Sequence, residues 1–303
     1  MILYDGLERR LAERGLTRSF LTKELGISSR TIAKLAKGEK IAPRVLEKIA
    51  AFLSCDAQEL YRCISDNPLL QTLRDEKSVR LPGGLYHELQ VRMTYNSNHM
   101  EGSRLSEEQT RFIFETNTVD VGDGVSVDDI IETVNHFRAI DRVIDAADES
   151  LTEALIKELH RILKQCTRDA SLDWFAVGEY KKRANVVGGR ETAKPKDVPA
   201  EMAALLAAYE ATPDVGFEEI VRFHVEFERI HPFQDGNGRV GRLIALKECL
   251  RYGVTPFLIE DAKKAFYYRD LSEWDREPGY LTDTCRDGQD TFRRLAASFD
   301  VIL

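Results

Sequence analysis

One segment constrains this chain more than any other: His231-Pro232-Phe233-Gln234-Asp235-Gly236-Asn237-Gly238-Arg239-Val240-Gly241-Arg242. It lies between two stretches of helical apolar periodicity, residues 216–230 and 238–252, so the backbone must turn and enter a helix at once. Gly236 and Gly238 give Asn237 the flexible surroundings such a turn needs. A helix entered this way points several N–H groups outward with the positive end of its dipole behind them, which makes a phosphate cradle. The neighbouring side chains suit the same ligand. Arg239 and Arg242 are three apart, share a helix face and can both aim at one anion. Asp235 is an oxygen ligand suited to Mg²⁺ held against phosphates. His231 titrates near neutrality and can take a proton from an attacking hydroxyl. Phe233 is expected to pack under the loop and fix its shape.

The rest of the chain reads as helices. Periodicity recurs over 85–100, 106–117, 127–146, 151–167, 198–210, 262–274 and 289–303, which predicts an all-α body. One stretch breaks the pattern. Asn185-Val186-Val187 is extended and β-branched, Gly188-Gly189 is a turn signal, and Pro195 forbids a continuing helix, so a β-hairpin or extended flap is expected. The N-terminal sixty residues predict a separate small module. Leu3, Leu7 and Leu11 space a helix that Gly15 ends. Thr17 caps a second, Ser28 or Ser29 a third, and Pro43 opens a fourth that runs to Leu53. Residues 1–65 are therefore read as one domain, 66–84 as linker around a short helix, and 85–303 as the helical body, with its core at about 150–288.

Charge supports that division. The chain has 303 residues and a net charge of −8, yet residues 1–62 hold 12 Lys+Arg against 8 Asp+Glu, leaving 31 and 43 for the remainder. A basic head on an acidic body fits a module that meets phosphate joined to one that does not. No apolar run reaches the roughly 18–20 residues needed to span a bilayer, and the N-terminus lacks a signal-peptide layout. A cytoplasmic protein without membrane contact is expected. Five cysteines with no Cys-x-x-Cys pair predict reduced thiols rather than a disulfide framework or zinc site. The remaining histidines, His87, His99, His136, His160 and His224, lack metal-ligand spacing, and core or surface roles are expected.

Two resemblances follow from these residues. "LTKELGISSRTIAKLAKGE" with "VLEKIAAFLSCDAQEL" resembles the lambda-repressor and Cro type of helix-turn-helix. It implies that Ser28, Ser29, Arg30 and Lys34 face the major groove of DNA, with Lys37 and Lys40 reaching phosphates. Residues 231–242 resemble the Fic-family motif, His-Pro-Phe-x-(Asp/Glu)-Gly-Asn-Gly-Arg-x-x-Arg, at every specified position, and the likeness extends from about Leu85 onward. It implies a helical Fic domain that moves AMP from ATP to a Ser, Thr or Tyr hydroxyl of a protein, itself included. His231 would be the general base. Asp235 would hold Mg²⁺, or Mn²⁺ in its place. Gly236, Asn237, Gly238 and Arg239 would cradle phosphates, and Arg242 would meet the γ-phosphate. The related Doc kinases carry Lys where this chain has Gly238, so Gly238 favours AMP transfer.

Further positions carry over by the same resemblance. Val187, Gly188, Gly189 and Arg190 resemble the flap that lies over the nucleotide and guides the target by strand-like pairing. Tyr267 and Tyr268 resemble the aromatic pair beside adenine. Asp275 stands where many relatives have Asn, and a carboxylate there accepts but cannot donate. Ser97, Glu101 and Gly102 resemble the inhibitory motif (Ser/Thr)-x-x-x-Glu-(Gly/Asn), in a helix near 94–102. Arg242 cannot grip both Glu101 and a γ-phosphate in one geometry. Two alternatives stay open: a hydrolase that removes AMP, with Glu101 orienting water, and a DNA-binding regulator with a Fic body as sensor. Both resemblances imply a homodimer.

Overall fold

The computed structural model describes residues 2–63, 67–120, 124–301 and 303. The chain divides into two compact units, residues 1–66 and 67–303. Among the described residues, no helix is long and apolar enough to cross a membrane, and Cys55, Cys166, Cys249 and Cys285 are free.

Among the described residues the first unit has four α-helices and a 3-10 turn at Ala57–Leu60, closed by a ribbon of two residues per strand. Strand β1 (Ile2–Leu3) is followed by α1 (Asp5–Glu13), α2 (Arg18–Leu25), α3 (Ser29–Ala36) and α4 (Pro43–Leu53), and β2 (Arg62–Cys63) pairs antiparallel with β1. Leu3, expected in the first helix, lies in β1 instead. The helix begins at Asp5, where Asp5 and Glu8 give its first turn the acidic residues that a helix N-terminus favours. Gly26, in the left-handed region, ends α2. The Ser28 hydroxyl accepts from the Thr31 N–H at 3.2 Å and caps α3. Leu7, Leu11, Leu21, Leu35 and Ile49 form the centre of its core.

In the second unit the stretch expected as linker contains α5 (Pro68–Val79), capped by Asn67. Its Leu69, Leu70 and Leu73 lie in the main core. Then come α6 (Leu85–Met100), α7 (Glu107–Thr116), α8 (Val127–Asp145), α9 (Glu153–Lys164), a hairpin of β3 (Val186–Val187) and β4 (Arg190–Glu191), α10 (Val198–Glu210), α11 (Phe217–Ile230), α12 (Asn237–Tyr252), α13 (Lys264–Glu273) and α14 (Pro278–Ala297). The last helix starts eleven residues before the expected 289. Its buried positions there include Leu281, Cys285 and Gly288, too few large apolar residues to reveal a helical stripe in the sequence.

Helix α12 is the axis of this unit. Every side from Arg239 to Leu250 is buried, against α6, α8, α9 and α11. Its buried positions include the charged Arg239, Arg242, Lys247 and Glu248 as well as apolar residues, which is why its sequence shows no single apolar stripe. Its N-terminus, at Asn237, is held by this packing. The hairpin expected at 185–191 is present, turned by Gly188 and Gly189 with φ of 57° and 80°. Both glycines therefore take the positive φ that a tight two-residue hairpin turn asks for.

Ile140, fully buried on α8, tests this packing. Ile140→Ala is expected to lower stability by about 2–5 kcal/mol in urea titrations. A loss under about 1 kcal/mol would contradict it.

Candidate active site

The loop between α11 and α12 is fixed from below by three side chains. His231 ends α11 with φ of 50°, and Pro232 prevents the helix from continuing. Gly236, at φ 79°, precedes α12. The Asn237 side chain closes the loop on itself: Oδ1 accepts from the Phe233 N–H at 2.8 Å and Nδ2 donates to the Phe233 carbonyl at 2.9 Å. Any role of Asn237 in a phosphate cradle therefore falls to its backbone. The buried Phe233 ring stacks on His160 at 4.0 Å between centroids and 2° between planes. His160 Nδ1 accepts from the Gly178 N–H at 2.9 Å, so Nε2 carries the proton and donates to the Asp235 carbonyl at 3.2 Å. Burial pushes His160 down to about 3, which keeps it neutral.

His231 is also neutral at pH 7. Burial is the main cause and holds it at about 4; its backbone bond opposes the shift and Lys181 adds to it. Nδ1 lies 3.3 Å from the Glu228 carbonyl oxygen. A carbonyl only accepts, so Nδ1 donates and Nε2 keeps the lone pair. The imidazole is thus set to take a proton.

Beside it lies a compact charge cluster. Asp235 Oδ2 accepts from Lys164 Nζ at 2.6 Å and lies 3.5 Å from Arg239 Nη2, while both cations also bond Glu132. Burial opposes the Asp235 charge, but Arg239 and Lys164 more than offset it and hold the carboxyl well below the usual range. The Asp235 side chain is still 49% exposed. No group of three or more His, Cys, Asp or Glu gathers here among the described residues. Such a donor set fits only a cation that takes its other ligands from phosphate oxygens and water, as Mg²⁺ does.

Arg239 and Arg242, expected to aim at one anion, bond different carboxylates. Arg242 Nε donates to Ser97 Oγ at 2.9 Å, and Nη2 donates to the Ser97 carbonyl at 3.0 Å and to Glu101 Oε1 at 2.8 Å. Burial disfavours the Glu101 charge, but Arg242 and Arg239 together hold the carboxyl below its usual range. Ser97 and Glu101 lie one turn apart at the end of α6, and Gly102 follows at φ 100°. The carboxylate enters over Gly238, where a Cβ would collide with it. Two donors stay open: Arg242 Nη1 and Arg239 Nε are buried and find no partner among the described residues. An unpaired guanidinium N–H beside a helix N-terminus calls for an anion.

The other expected positions divide. Val187 and the Gly188-Gly189 turn form the exposed hairpin, and Arg190 Nη2 donates to the Ser272 carbonyl at 2.7 Å. Tyr267, expected beside adenine, is core: its hydroxyl bonds His224 Nε2 at 2.5 Å. Only Tyr268 is exposed, with its hydroxyl 3.4 Å from the Met100 carbonyl. Asp275 is 75% exposed and pairs with Arg229 at 2.7 Å, so this carboxylate is spent on a surface ion pair. In the first unit Ser29, Arg30, Lys37 and Lys40 are exposed and Lys34 is half-buried. Ser28 is exposed too, but its hydroxyl is taken by the cap.

Sequence reading missed Lys164, Glu132, Lys181 and the bracing role of His160. A signal existed for two of them. His160 and Lys164 fall on the same stripe of α9 as Leu155, Ile156, Leu159 and Leu163. A cation on an apolar stripe needs a buried partner.

Residues 150–249 match the Fic/DOC family, and residues 6–66 match the Cro/C1-type HTH DNA-binding domain. Protein adenylyltransferase Fic of Drosophila willistoni is 28% identical over 184 residues, 58% of this chain and 35% of that protein. The Drosophila erecta protein of the same name is 30% identical over 187 residues, with the same coverage of 58% and 35%. A Fic-domain-containing signaling protein from Bacteroides thetaiotaomicron is similar in structure, at 26% identity and a TM-score of 0.59, covering 76% of this chain and 95% of that one. The chain spans about a third of the length of the curated relatives it matches.

The buried imidazole makes a pH prediction. In the folded protein His231 titrates near 4, against 6.5 for the free side chain. The unfolded chain then binds more protons between these values, so this histidine's contribution to stability is whole above about 6.5 and is lost as pH falls through about 4. NMR of the ring should show no titration between pH 8 and 6. A midpoint near 6.5 would contradict the geometry.

Proposed function

We propose, starting from the membership of this chain in the Fic/DOC family behind a Cro/C1-type helix-turn-helix module, that it is a protein adenylyltransferase restrained by Glu101. It moves AMP from ATP to a Ser, Thr or Tyr hydroxyl of a protein. The observation that carries this reading is the state of Arg242. One face of its guanidinium holds Glu101, and Nη1 lies buried and unpaired at the N-terminus of α12.

In this reading ATP lays its phosphates along the backbone N–H groups of Gly236, Asn237 and Gly238. Asp235 would hold a Mg²⁺ or Mn²⁺ ion against them, and the bound ion supplies charge neutralisation. Arg239 and Arg242 take the outer phosphates. His231 Nε2 removes the proton of the acceptor hydroxyl, whose oxygen attacks the α-phosphorus. The bond from the α-phosphorus to the bridging oxygen breaks and pyrophosphate leaves. The chain's own contribution is positioning and fixed charge. While Glu101 occupies Arg242, the γ-phosphate has no place on that fork, and ATP is held in a pose unfit for attack. The names of the relatives support the reaction, and their partial coverage keeps the target open.

Mass spectrometry tests the reaction. Glu101→Gly protein with ATP and Mg²⁺ should gain AMP on itself, at about 10-fold or more over the parent, since a competing ion pair on the buried Arg242 is removed. His231→Ala in the same background should bind nucleotide and gain none. Equal labelling of parent and Glu101→Gly sinks the restraint. Loss of AMP from a pre-modified protein, with no transfer by Glu101→Gly, would favour the reverse hydrolase.

A second reading rests on the first unit. The exposed Ser29, Arg30, Lys37 and Lys40 on and after α3 support DNA binding by this module. Arg30→Ala should weaken binding to DNA from upstream of its own gene in a gel shift, and Lys37→Ala should lower the salt slope by about 1. No shift at low salt would refute it.

A further inference from the structure

We propose that Lys181 is a positioning residue: it locks the root of the β3–β4 hairpin to the loop carrying His231, and so sets where an acceptor chain lying on the hairpin presents its hydroxyl. This rests on the transferase reading above. The side chain of Lys181 is unusual in its surroundings. The residue is 2% exposed, and no carboxylate forms an ion pair with it among the described residues. Glu201 favours its charge from beyond ion-pair distance, but a buried ammonium with no bonded carboxylate is costly and persists only where its three protons are all satisfied. Here they are. Nζ donates to Asn185 Oδ1 at 2.8 Å, Thr192 Oγ1 at 2.6 Å and the Ile230 carbonyl at 3.3 Å. Burial lowers its pKa to about 8, which leaves it mostly charged at pH 7.

The three acceptors come from three places that matter. Asn185 immediately precedes β3, Thr192 immediately follows β4, and Ile230 precedes His231. One ammonium therefore ties both legs of the hairpin to the last carbonyl of α11. Three more bonds run in parallel. The Lys181 N–H donates to the Pro232 carbonyl at 2.8 Å, the Arg183 N–H to Gln234 Oε1 at 3.3 Å, and Asn185 Nδ2 to the Phe233 carbonyl at 3.2 Å. The hairpin itself has only two residues per strand, both exposed, and so has little stability of its own. Apart from the Arg190 bond to the Ser272 carbonyl, its position relative to His231 is inherited from this root. A shift of about 1 Å between acceptor and base is enough to cost about 100-fold in transfer.

The test uses the full chain carrying Glu101→Gly, with Lys181→Met and Lys181→Arg added separately. Methionine keeps the unbranched stem and removes the donors; arginine keeps charge and donors. Lys181→Met should speed hydrogen exchange of the 185–192 amides by about 10-fold, because local opening replaces a tied root. Self-labelling by ATP should fall by about 10-fold or more, while affinity for a fluorescent ATP analogue changes by less than about 2-fold. Lys181→Arg should recover most of both losses. Thr192→Val, which removes one acceptor of the ammonium together with the hydroxyl's own bond to Asn185, should show the same split on a smaller scale and serves if Lys181→Met does not fold. Unchanged exchange at 185–192 overturns the proposal, as does a loss of labelling matched by an equal loss of nucleotide affinity. A Glu101→Gly parent that labels nothing is a failure of the transferase reading alone, and the exchange comparison still decides the role of Lys181.

Discussion

The guanidinium of Arg242 is buried where α6 and α12 cross, and the second unit is arranged around keeping it paired. Its charge cannot be left alone in that place, so it holds Ser97 and Glu101 with three hydrogen bonds. The planar fork has a fixed geometry, which makes the pairing selective and also exclusive. In the proposed function a nucleotide phosphate has to take over a fork that the protein's own carboxylate already occupies. Gly238 joins the two states. Its missing Cβ leaves the space Glu101 enters, and its N–H belongs to the proposed phosphate cradle.

The loop ahead of α12 is held just as firmly. Asn237 staples it, Phe233 stacks on His160, and Lys181 binds it to the hairpin root. Its cations and its imidazoles are sorted by environment. Lys164, Arg239 and Arg242 are paired with Glu132, Asp235 and Glu101. His160, His224 and His231 are kept neutral, by burial first and nearby cations second. Neutral imidazoles among fixed cations let one of them accept a proton without disturbing the charges that would hold phosphate.

Much of this was legible in the sequence. Two glycines around Asn237 between two helical stretches forecast the turn and the helix N-terminus. Gly188-Gly189 after β-branched residues forecast the hairpin. Ser97 and Glu101, four apart, forecast one face. What stayed hidden depends on contacts between distant segments. Lys164 reaches Asp235 across 71 residues and Lys181 reaches Ile230 across 49, and no local pattern encodes such pairs. Tyr267 and Tyr268 read alike in sequence, yet one helical step sends the first into the core and leaves the second exposed. Arg239 and Arg242 share a face, but Glu132 on α8 and Glu101 at the end of α6 draw them to different partners. The early start of α14 was masked because Cys285 and Gly288, which pack tightly against neighbours, do not read as an apolar stripe.

The central claim is that one guanidinium is contested by two anions. Crystals of the parent and of Glu101→Gly, each grown with a non-hydrolysable ATP analogue and Mg²⁺, test it most directly. The account predicts that in Glu101→Gly the γ-phosphate lies on Arg242 and the His231 ring faces an open path to the α-phosphorus, with room for an oxygen about 3–3.5 Å away. In the parent, Arg242 stays on Glu101 and the γ-phosphate lies elsewhere. The same nucleotide pose in both proteins, with Arg242 still gripping Glu101 in the parent, would contradict it.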